Sequence, residues 1–242
     1  MKLKHVFERK ENKYLLSNKQ FRAFKADLEH HMSLDQFGKH TISSVYYDTD
    51  NFKFINHSIQ KPDYKEKFRV RQYGQFNPNG QFFLEIKKKV RGIVYKRRLT
   101  LSYNDYLLFK LNREMDLNYA SHPQIAREIN WLFNSNPDLH PRVAIMYDRL
   151  SYFCHEQPEF RVTFDENIRF RDTNIDLEQG THGERVTNHF DVLMEVKAMG
   201  AYPIWFSHLL TKHGITKGKF SKYAYVYQHH LFNSQKELLN VI

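Results

Sequence analysis

Short runs in this sequence alternate apolar and charged residues. The clearest are residues 68–71 (FRVR), 84–87 (LEIK), 161–165 (RVTFD) and 194–197 (MEVK). Residues two apart on a β-strand share a face, so each run has one apolar face and one face of cations with an occasional carboxylate. Several such strands side by side would build a wall of Arg and Lys with a few acids. Such a wall suits a long, densely charged anion such as a phosphate chain.

The composition supports an anionic partner and a soluble β-rich chain. The net charge is +10 over 242 residues, and the aromatic share of 15% suits strands with a sizeable core. The single cysteine, Cys154, excludes an intrachain disulfide and a Cys-rich zinc site. The first residues contain no apolar stretch, and no run approaches the length of a membrane span. We therefore expect a cytoplasmic protein with no signal peptide and no transmembrane segment.

The periodicity predicts an α+β fold made of one domain over residues 1–242. Strands are predicted over residues 5–16, 41–49, 65–73, 81–90, 93–101, 142–154, 159–165 and 190–198. Helices are predicted over residues 18–32, 103–116 and 123–135, between Pro203 and Gly214, and from Tyr223 to Ile242. The turn Asn77-Pro78-Asn79-Gly80 predicts a hairpin between the third and fourth strands.

The only phosphate-loop candidate is Gly214-Ile215-Thr216-Lys217-Gly218-Lys219. That motif requires four residues between its glycines and Ser or Thr after the lysine, whereas this chain has three residues and Phe220. We reject it. The histidines have no zinc-protease spacing, and no RNA-recognition motif occurs, so we expect no nucleic-acid partner.

A set of charged pairs, in order along nearly the whole chain, resembles the polyphosphate-polymerase domain of the vacuolar transporter chaperone (VTC) family, within the triphosphate tunnel (CYTH-like) superfamily. The matching segments are Arg9-x-Glu11-x-Lys13-Tyr14, Val45-Tyr46-Tyr47-Asp48-Thr49, Arg69-x-Arg71-x-Tyr73-Gly74, Glu85-x-Lys87, Lys96-x-Arg98, Tyr147-x-Arg149, Arg161-x-x-x-Asp165, Glu195-x-Lys197 and Lys219-Phe220-Ser221-Lys222-Tyr223.

This resemblance implies an antiparallel eight-stranded β-barrel with its charged residues inside and its helices packed outside. The twelve implied tunnel cations are Arg9, Lys13, Arg69, Arg71, Lys87, Lys96, Arg98, Arg149, Arg161, Lys197, Lys219 and Lys222, with the acids Glu11, Glu85 and Glu195. Twelve cations less three carboxylates would place nine of the ten net positive charges in one cavity.

The resemblance also implies a function, a metal-dependent transfer of the γ-phosphoryl group of ATP to a growing polyphosphate chain. It implies catalytic roles for Arg149, Arg161 and Glu195, and a Mn²⁺ or Mg²⁺ site at Glu195 assisted by Glu11. The implied phosphate-binding residues are Lys13, Arg69, Arg71, Lys87, Lys96, Arg98, Lys197, Lys219, Ser221 and Lys222.

The resemblance is incomplete at one position. The wider superfamily begins with Glu-x-Glu-x-Lys, but here the first position is Arg9, which favours a polymerase over a hydrolase. A hydrolase of tripolyphosphate or nucleoside triphosphates and a non-enzymatic polyphosphate-binding module stay open, and adenylate cyclase is the least favoured. A separate membrane partner is also left open, so the chain is expected in the cytoplasm or at a membrane through that partner.

Overall fold

The computed structural model describes residues 9–91, 93–118 and 121–232. The strands are β1 (Arg9–Leu16), β2 (Ser33–Leu34), β3 (His40–Asp48), β4 (Tyr64–Tyr73), β5 (Phe82–Val90), β6 (Ile93–Leu101), β7 (His140–Phe153), β8 (Arg161–Arg171), β9 (Glu184–Arg185), β10 (Val192–Met199) and β11 (Lys217–Gly218). The helices are α1 (Asn18–Leu28), α2 (Lys53–Ile59), α3 (Tyr103–Asn112), α4 (Pro123–Asn134), α5 (Ile204–Lys212) and α6 (Lys222–Val226).

The strands form a single sheet in the order β11-β1-β10-β8-β7-β3-β4-β5-β6, with β2 paired to β7 and β9 paired to β8. The eight predicted strands are all present as the eight long ones, which confirms the α+β prediction. The prediction of an eight-stranded closed barrel is wrong for the described residues, because this sheet has eleven strands and its order ends at β11 and β6. The three extra strands have two residues each, too short for an alternating pattern to reveal.

Contacts divide the chain into two compact units, and strands β7 and β8 contribute residues to both. Among the described residues, the first unit contains 9–40, 147–168 and 187–220, and the second contains 41–146, 169–186 and 221–232. The expectation of one domain over the whole chain stays a prediction.

The first unit has its own apolar core. The inner face of its strands carries residues such as Tyr14, Phe164 and Val196, and helices α1 and α5 cover them with Phe24 and Phe206. The ring of Phe24 lies 5.7 Å from that of Phe206 and 6.3 Å from that of Phe164, both edge to face. Because strand residues alternate between faces, the apolar residues of the alternating runs in this unit lie in this core.

The second unit is built in the same way. Phe68 of β4 packs 5.2 Å from Tyr47 of β3 and 5.3 Å from Phe133 of α4, ring centroid to ring centroid. Phe109 of α3 lies 5.3 Å from Phe133. Leu84 of β5 is fully buried in the same cluster. The opposite face of β3 to β6 is therefore left to the polar and charged residues.

Local signals explain most helix ends. Ser17 and Gln20 form the capping box that starts α1, as the sequence predicts. The helix predicted over residues 18–32 ends at Leu28, and the one predicted over 103–116 ends at Asn112, where Arg113 takes a left-handed conformation. Residues 233–242 of the predicted C-terminal helix lie outside the described residues. Of the helices in the described ranges, none is long and apolar enough to span a bilayer.

Candidate functional site

The second unit carries a cationic face on strands β4, β5 and β6. Arg69 pairs across the ladder with Glu85, and Glu85 pairs in turn with Arg98 on the other side. One step along, Lys87 pairs with Lys67 and Lys96. The residues between them, such as Phe68 and Ile86, face the core, so the predicted division of faces is confirmed on these strands.

Glu85 is the centre of this face, and only 2% of it is exposed. Its Oε2 accepts from Arg69 Nε at 2.8 Å and lies 3.9 Å from Arg71 Nη1. Its Oε1 lies 2.8 Å from Lys96 Nζ and accepts from Arg98 Nε at 2.8 Å, with Arg98 Nη2 also in contact. We call these five residues the Glu85 cluster. Four cations around one carboxylate leave three positive charges uncompensated within it.

The charges of the Glu85 cluster shift one another's ionisation. Burial opposes the ionisation of Glu85, but Arg69, Arg71 and Lys96 outweigh it and hold the pKa of the carboxyl far below its usual range. Burial lowers the pKa of Lys96, and Glu85 offsets part of that effect. Burial likewise disfavours the charged form of Arg98, but Glu85 raises its pKa overall. These interactions therefore favour the charged forms of Glu85 and Arg98.

Two tyrosines belong to this face, although the sequence reasoning gave them no role. Tyr46 accepts a hydrogen bond from Arg69 Nη1 at 2.9 Å, and Tyr73 accepts one from Arg98 Nη2 at 2.9 Å. Burial would raise the pKa of Tyr46, but Arg69, Arg71 and the nearby Lys67 lower it to about 8. The available signal was that Tyr46 follows the core residue Val45 and so faces the other side of β3, and that Tyr73 lies two residues from Arg71 and so shares its face.

Segment 221–223 also contributes to the second unit. Lys67 Nζ lies 3.4 Å from the Ser221 hydroxyl and 5.7 Å from the centroid of the Tyr223 ring. Tyr223 stacks on Tyr46 at 4.8 Å and donates to Asp48 Oδ2 at 2.8 Å. Asp48 thus fixes this segment beside the cationic face.

Two lysines predicted to bind phosphate differ in their exposure. Lys222 is buried. Lys87 is exposed and is not among the residues that contact Glu85.

The first unit has a second charged cluster on the face opposite its core. Arg149 donates to fully buried Asp165 through two parallel bonds, Nε to Oδ1 at 2.6 Å and Nη2 to Oδ2 at 2.8 Å. Glu195 lies 3.7 Å from Arg149 Nη2 through Oε2, and 3.1 Å from Lys13 Nζ through Oε1. Lys13 also donates to the Phe220 carbonyl at 2.9 Å. We call Lys13, Arg149, Asp165 and Glu195 the Asp165 cluster.

Asp165 is the functional residue that the sequence reasoning missed in this unit. It lies in the alternating run 161–165 and in the resemblance, but it received no role. Burial disfavours the charged form of Arg149, yet Asp165 keeps the pKa of the guanidinium well above its ordinary value. A bidentate pair of this kind fixes both the charge and the orientation of the arginine.

The remaining predicted site residues of the first unit are more peripheral. Arg161 is exposed, lies across the ladder from Lys197, and donates to the Pro158 carbonyl at 3.3 Å. Glu11 pairs with Lys197 from the other side. Lys219 is exposed just beyond β11. Of the predicted set, Lys13, Arg149 and Glu195 meet in the Asp165 cluster, and the roles of all the predicted residues stay predictions.

Two carboxylates of this face are of the type that can hold a divalent cation. Glu11 and Glu195 lie on adjacent strands and on the same face, one ladder step apart. Mg²⁺ and Mn²⁺ are commonly held by one or two carboxylates together with phosphate oxygens. No group of three or more acidic, His or Cys side chains suited to a metal occurs in the described part of the chain, so phosphate oxygens would have to complete the coordination.

Comparisons with known proteins agree with the fold. The sequence matches the VTC domain over residues 8–230. A search of curated proteins found no match. A structure from Hippeastrum, described as a candidate adenylyl cyclase with a dominant triphosphatase activity, superposes with a TM-score of 0.57 at 14% identity, covering 90% of this chain and 94% of the other.

A second structure, a candidate adenylate cyclase from Bacillus halodurans, gives a TM-score of 0.55 at 16% identity, covering 87% of this chain and 92% of the other. These likenesses establish a common fold. The family match spans nearly the whole chain, which confirms the resemblance found from the charged pairs. The chain belongs to the VTC domain family.

Proposed function

We propose that this chain is a metal-dependent polyphosphate polymerase that uses ATP. In each cycle, an oxygen of the terminal phosphate of the growing chain attacks the γ-phosphorus of ATP. The bond between that phosphorus and the β,γ-bridging oxygen breaks, and ADP leaves with the bonding electrons. The observation that carries the proposal is the Glu85 cluster, in which four cations converge on one carboxylate.

The Glu85 cluster is suited to holding phosphate groups. Phosphoryl transfer depends mainly on alignment and on neutralising charge, so fixed cations can supply most of what the protein contributes. Arg69, Arg71 and Arg98 can offer paired donors to phosphate oxygens, and Lys96 acts as a compact charge. Among the other predicted ligands, Lys87 lies one ladder step from Glu85 on the same face. Lys197, Lys219, Ser221 and Lys222 complete the proposed phosphate-binding set.

In the Asp165 cluster, Arg149 is the proposed stabiliser of the transferring phosphoryl group. Asp165 occupies its Nε and Nη2, and Nη1 takes no part in that pair. A guanidinium locked in this way loses little conformational freedom when it binds an anion, and Lys13 adds a second cation. Arg161 is proposed to assist from the same face.

Glu195 and Glu11 are proposed to hold Mn²⁺ or Mg²⁺. The ion supplies positive charge to phosphate oxygens when bound. Because Glu195 contacts Lys13 and Arg149, it also orients both cations. The acceptor phosphate is the nucleophile, so the chain needs no nucleophilic side chain of its own.

A hydrolase is the second candidate, and one specific observation favours it. The Hippeastrum protein, which shares the fold, is described as having a dominant triphosphatase activity. A hydrolase would direct water rather than a phosphate oxygen at the γ-phosphorus. The two reactions leave the same nucleotide product from ATP but different phosphate products.

Product analysis with ATP and Mn²⁺ distinguishes these functions. We expect ADP together with a ladder of phosphate chains on a gel and by ion chromatography. ADP with free phosphate alone would move the assignment to a hydrolase, and binding of polyphosphate without turnover would leave a binding module. The cytoplasmic location is part of the same proposal, a separate membrane partner stays an open alternative, and fractionation of cells tests both.

The chain provides a matched pair of arginines for the assay. Arg98 and Arg97 are consecutive on β6, but Arg98 contacts Glu85 whereas Arg97 lies 3.5 Å from Glu128 of α4. We expect Arg98→Ala to lower phosphate-chain synthesis by at least about tenfold, the loss of roughly one charge-assisted contact. Arg97→Ala should retain nearly all activity. An equal loss of phosphate-chain synthesis in the two variants would argue against a phosphate site at the Glu85 cluster.

A further inference from the structure

The end of the β5–β6 hairpin has a composition that the proposed phosphate chemistry does not require. Residues 87–98 contain seven Lys or Arg residues and neither Asp nor Glu, and four of the seven, Lys88, Lys89, Arg91 and Arg97, lie outside the proposed phosphate-binding set. Strand β6 is the last in the strand order, and Val90 pairs with Ile93 at the turn. We call residues 87–95 the hairpin end.

Apolar side chains on the hairpin end point to solvent from both of its faces. Ile93 is 60% exposed and Val94 is 51% exposed, and consecutive strand residues face opposite sides. Tyr95 shares the face of Ile93 and is also exposed. Trp131 of α4 is 59% exposed, and Lys88 Nζ lies 6.0 Å from the centroid of its ring. Lys88 lies directly across the ladder from Tyr95. An isolated exposed apolar residue is ordinary, but a contiguous group of this kind marks an interaction surface.

Cations on the same end are not matched by acids. Within the described ranges, no ion pair involves Lys65, Lys87, Lys89 or Arg91. Burial lowers the pKa of Lys65, and Lys89, Lys61 and Lys87 lower it further, which reflects a local excess of positive charge.

Nearby acids are too few to balance these cations. Glu128 faces Lys88 and Arg97, each at 3.5 Å, and Glu66 accepts from the Tyr64 hydroxyl at 2.8 Å. Asp63, an exposed acid near the turn, accepts from the Arg91 amide at 2.7 Å with its backbone carbonyl, so that bond does not use its carboxylate. Three carboxylates beside the seven cations of residues 87–98 leave the hairpin end positive.

We propose that the hairpin end binds the surface of an anionic phospholipid bilayer. Ile93 and Val94 would enter the boundary between headgroups and acyl chains, with Tyr95 and Trp131 at headgroup level, where amphipathic aromatic rings are favoured. Lys89 and Arg91 would face the lipid phosphates and carboxylates, and each basic residue close to such a surface adds to the attraction. The chain would then reach a membrane by its own surface, without a separate anchoring protein.

Other partners explain less of this surface. A second copy paired along the β6 edge would bring two strongly cationic hairpins together, and like charges across a ladder are unfavourable. A nucleic acid would use the lysines, but it would leave the aliphatic Ile93 and Val94 exposed to water. A bilayer with anionic headgroups matches both the charged and the aliphatic residues.

Vesicle co-sedimentation tests this proposal with the whole chain. We expect binding to phosphatidylserine-containing vesicles, weakening with added salt, and little binding to pure phosphatidylcholine vesicles. The double variant Ile93→Ser/Tyr95→Ser and the double variant Lys89→Glu/Arg91→Glu should each lower vesicle affinity by at least about tenfold. Both should retain ATP turnover, since none of the four residues is placed in the phosphate site.

Matched controls lie elsewhere in the chain. Ile204→Ser removes an aliphatic residue that is 74% exposed, and Lys19→Glu reverses an exposed charge on α1; both should bind vesicles like the wild type. Circular dichroism and thermal melting confirm that each variant is folded. Absence of wild-type binding, or equal loss in the controls, would overturn the proposal. So would a wild-type dimer, or an oligonucleotide complex, that depends on these residues while vesicles do not bind.

Discussion

Replacing Glu85 tests whether the cationic face is held together by this one carboxylate. Glu85→Gln keeps the shape of the side chain but removes the negative charge that Arg69, Arg71, Lys96 and Arg98 all contact. Removing one member of a buried ion pair typically costs about 3–5 kcal/mol, because the remaining charge is left uncompensated. Arg98 and Lys96 are partly exposed and can turn toward water, so we expect the lower end, about 3 kcal/mol.

The same substitution should strengthen the response to phosphate. In the wild type, Glu85 already occupies part of the donors of the cluster, whereas in the variant an added anion can also take the place of the lost carboxylate. A ligand at one hundred times its dissociation constant adds about 2.7 kcal/mol to stability. Tripolyphosphate should therefore restore most of the stability lost in Glu85→Gln, and a variant that is unfolded alone should refold with it.

Urea denaturation with and without tripolyphosphate measures both effects. Glu128→Gln is the matched control, since Glu128 is a partly exposed carboxylate facing Lys88 and Arg97 at 3.5 Å and should contribute less than about 1 kcal/mol. The pH dependence gives a further check. The pKa of Glu85 is depressed by folding, so its contribution is complete above the ordinary carboxyl pKa and is lost only as pH falls toward the depressed value. The reasoning would be refuted if Glu85→Gln lost no more unfolding free energy than Glu128→Gln. It would also be refuted if tripolyphosphate stabilised the wild type and both variants equally.

Three further outcomes are expected. Tyr46 should ionise near pH 8, a step visible in tyrosinate absorbance that Tyr46→Phe removes and Tyr64→Phe retains. Tripolyphosphate affinity should fall above that pH in the wild type and in Tyr64→Phe but not in Tyr46→Phe, because the phenolate of Tyr46 competes for Arg69. Asp165→Asn should cost about 3–5 kcal/mol of stability in denaturant titrations and lower turnover by releasing Arg149, and unchanged turnover would remove that orienting role. Glu195→Ala should abolish metal-dependent turnover while retaining phosphate binding by calorimetry, and unchanged turnover would reject the metal assignment.

The sequence predicted the faces of the strands well. The alternation around Arg69, Arg71 and Glu85 requires only that the segments be strands, and the strands exist as expected. It could not show that Glu85 contacts four cations, because that depends on the ladder register of β4, β5 and β6. The pairing of Arg149 with Asp165 was missed for the same reason, since it joins residues on two different strands.

Helix α2 shows a different limit. It starts after Phe52, which has a left-handed backbone and no capping side chain. The capping acceptor is Asp48, which receives the amides of Phe54 and Ile55 at 2.9 and 3.0 Å from the end of strand β3. A rule that looks for the capping side chain only in the residue directly before the helix therefore does not find it here. The same aspartate also holds Tyr223, so one buried carboxylate links a helix start to segment 221–223.

The two carboxylates at the centres of the charged clusters resolve a conflict between folding and binding. A face made only of cations would be unstable without a ligand, because buried like charges repel and lose hydration. Glu85 and Asp165 lower that cost and fix the arginines in place before any anion arrives. Glu85 does not compensate its face fully, since four cations surround it, whereas the two cations of the Asp165 cluster meet two carboxylates. The face can therefore fold without a ligand and still retain enough positive charge to bind one.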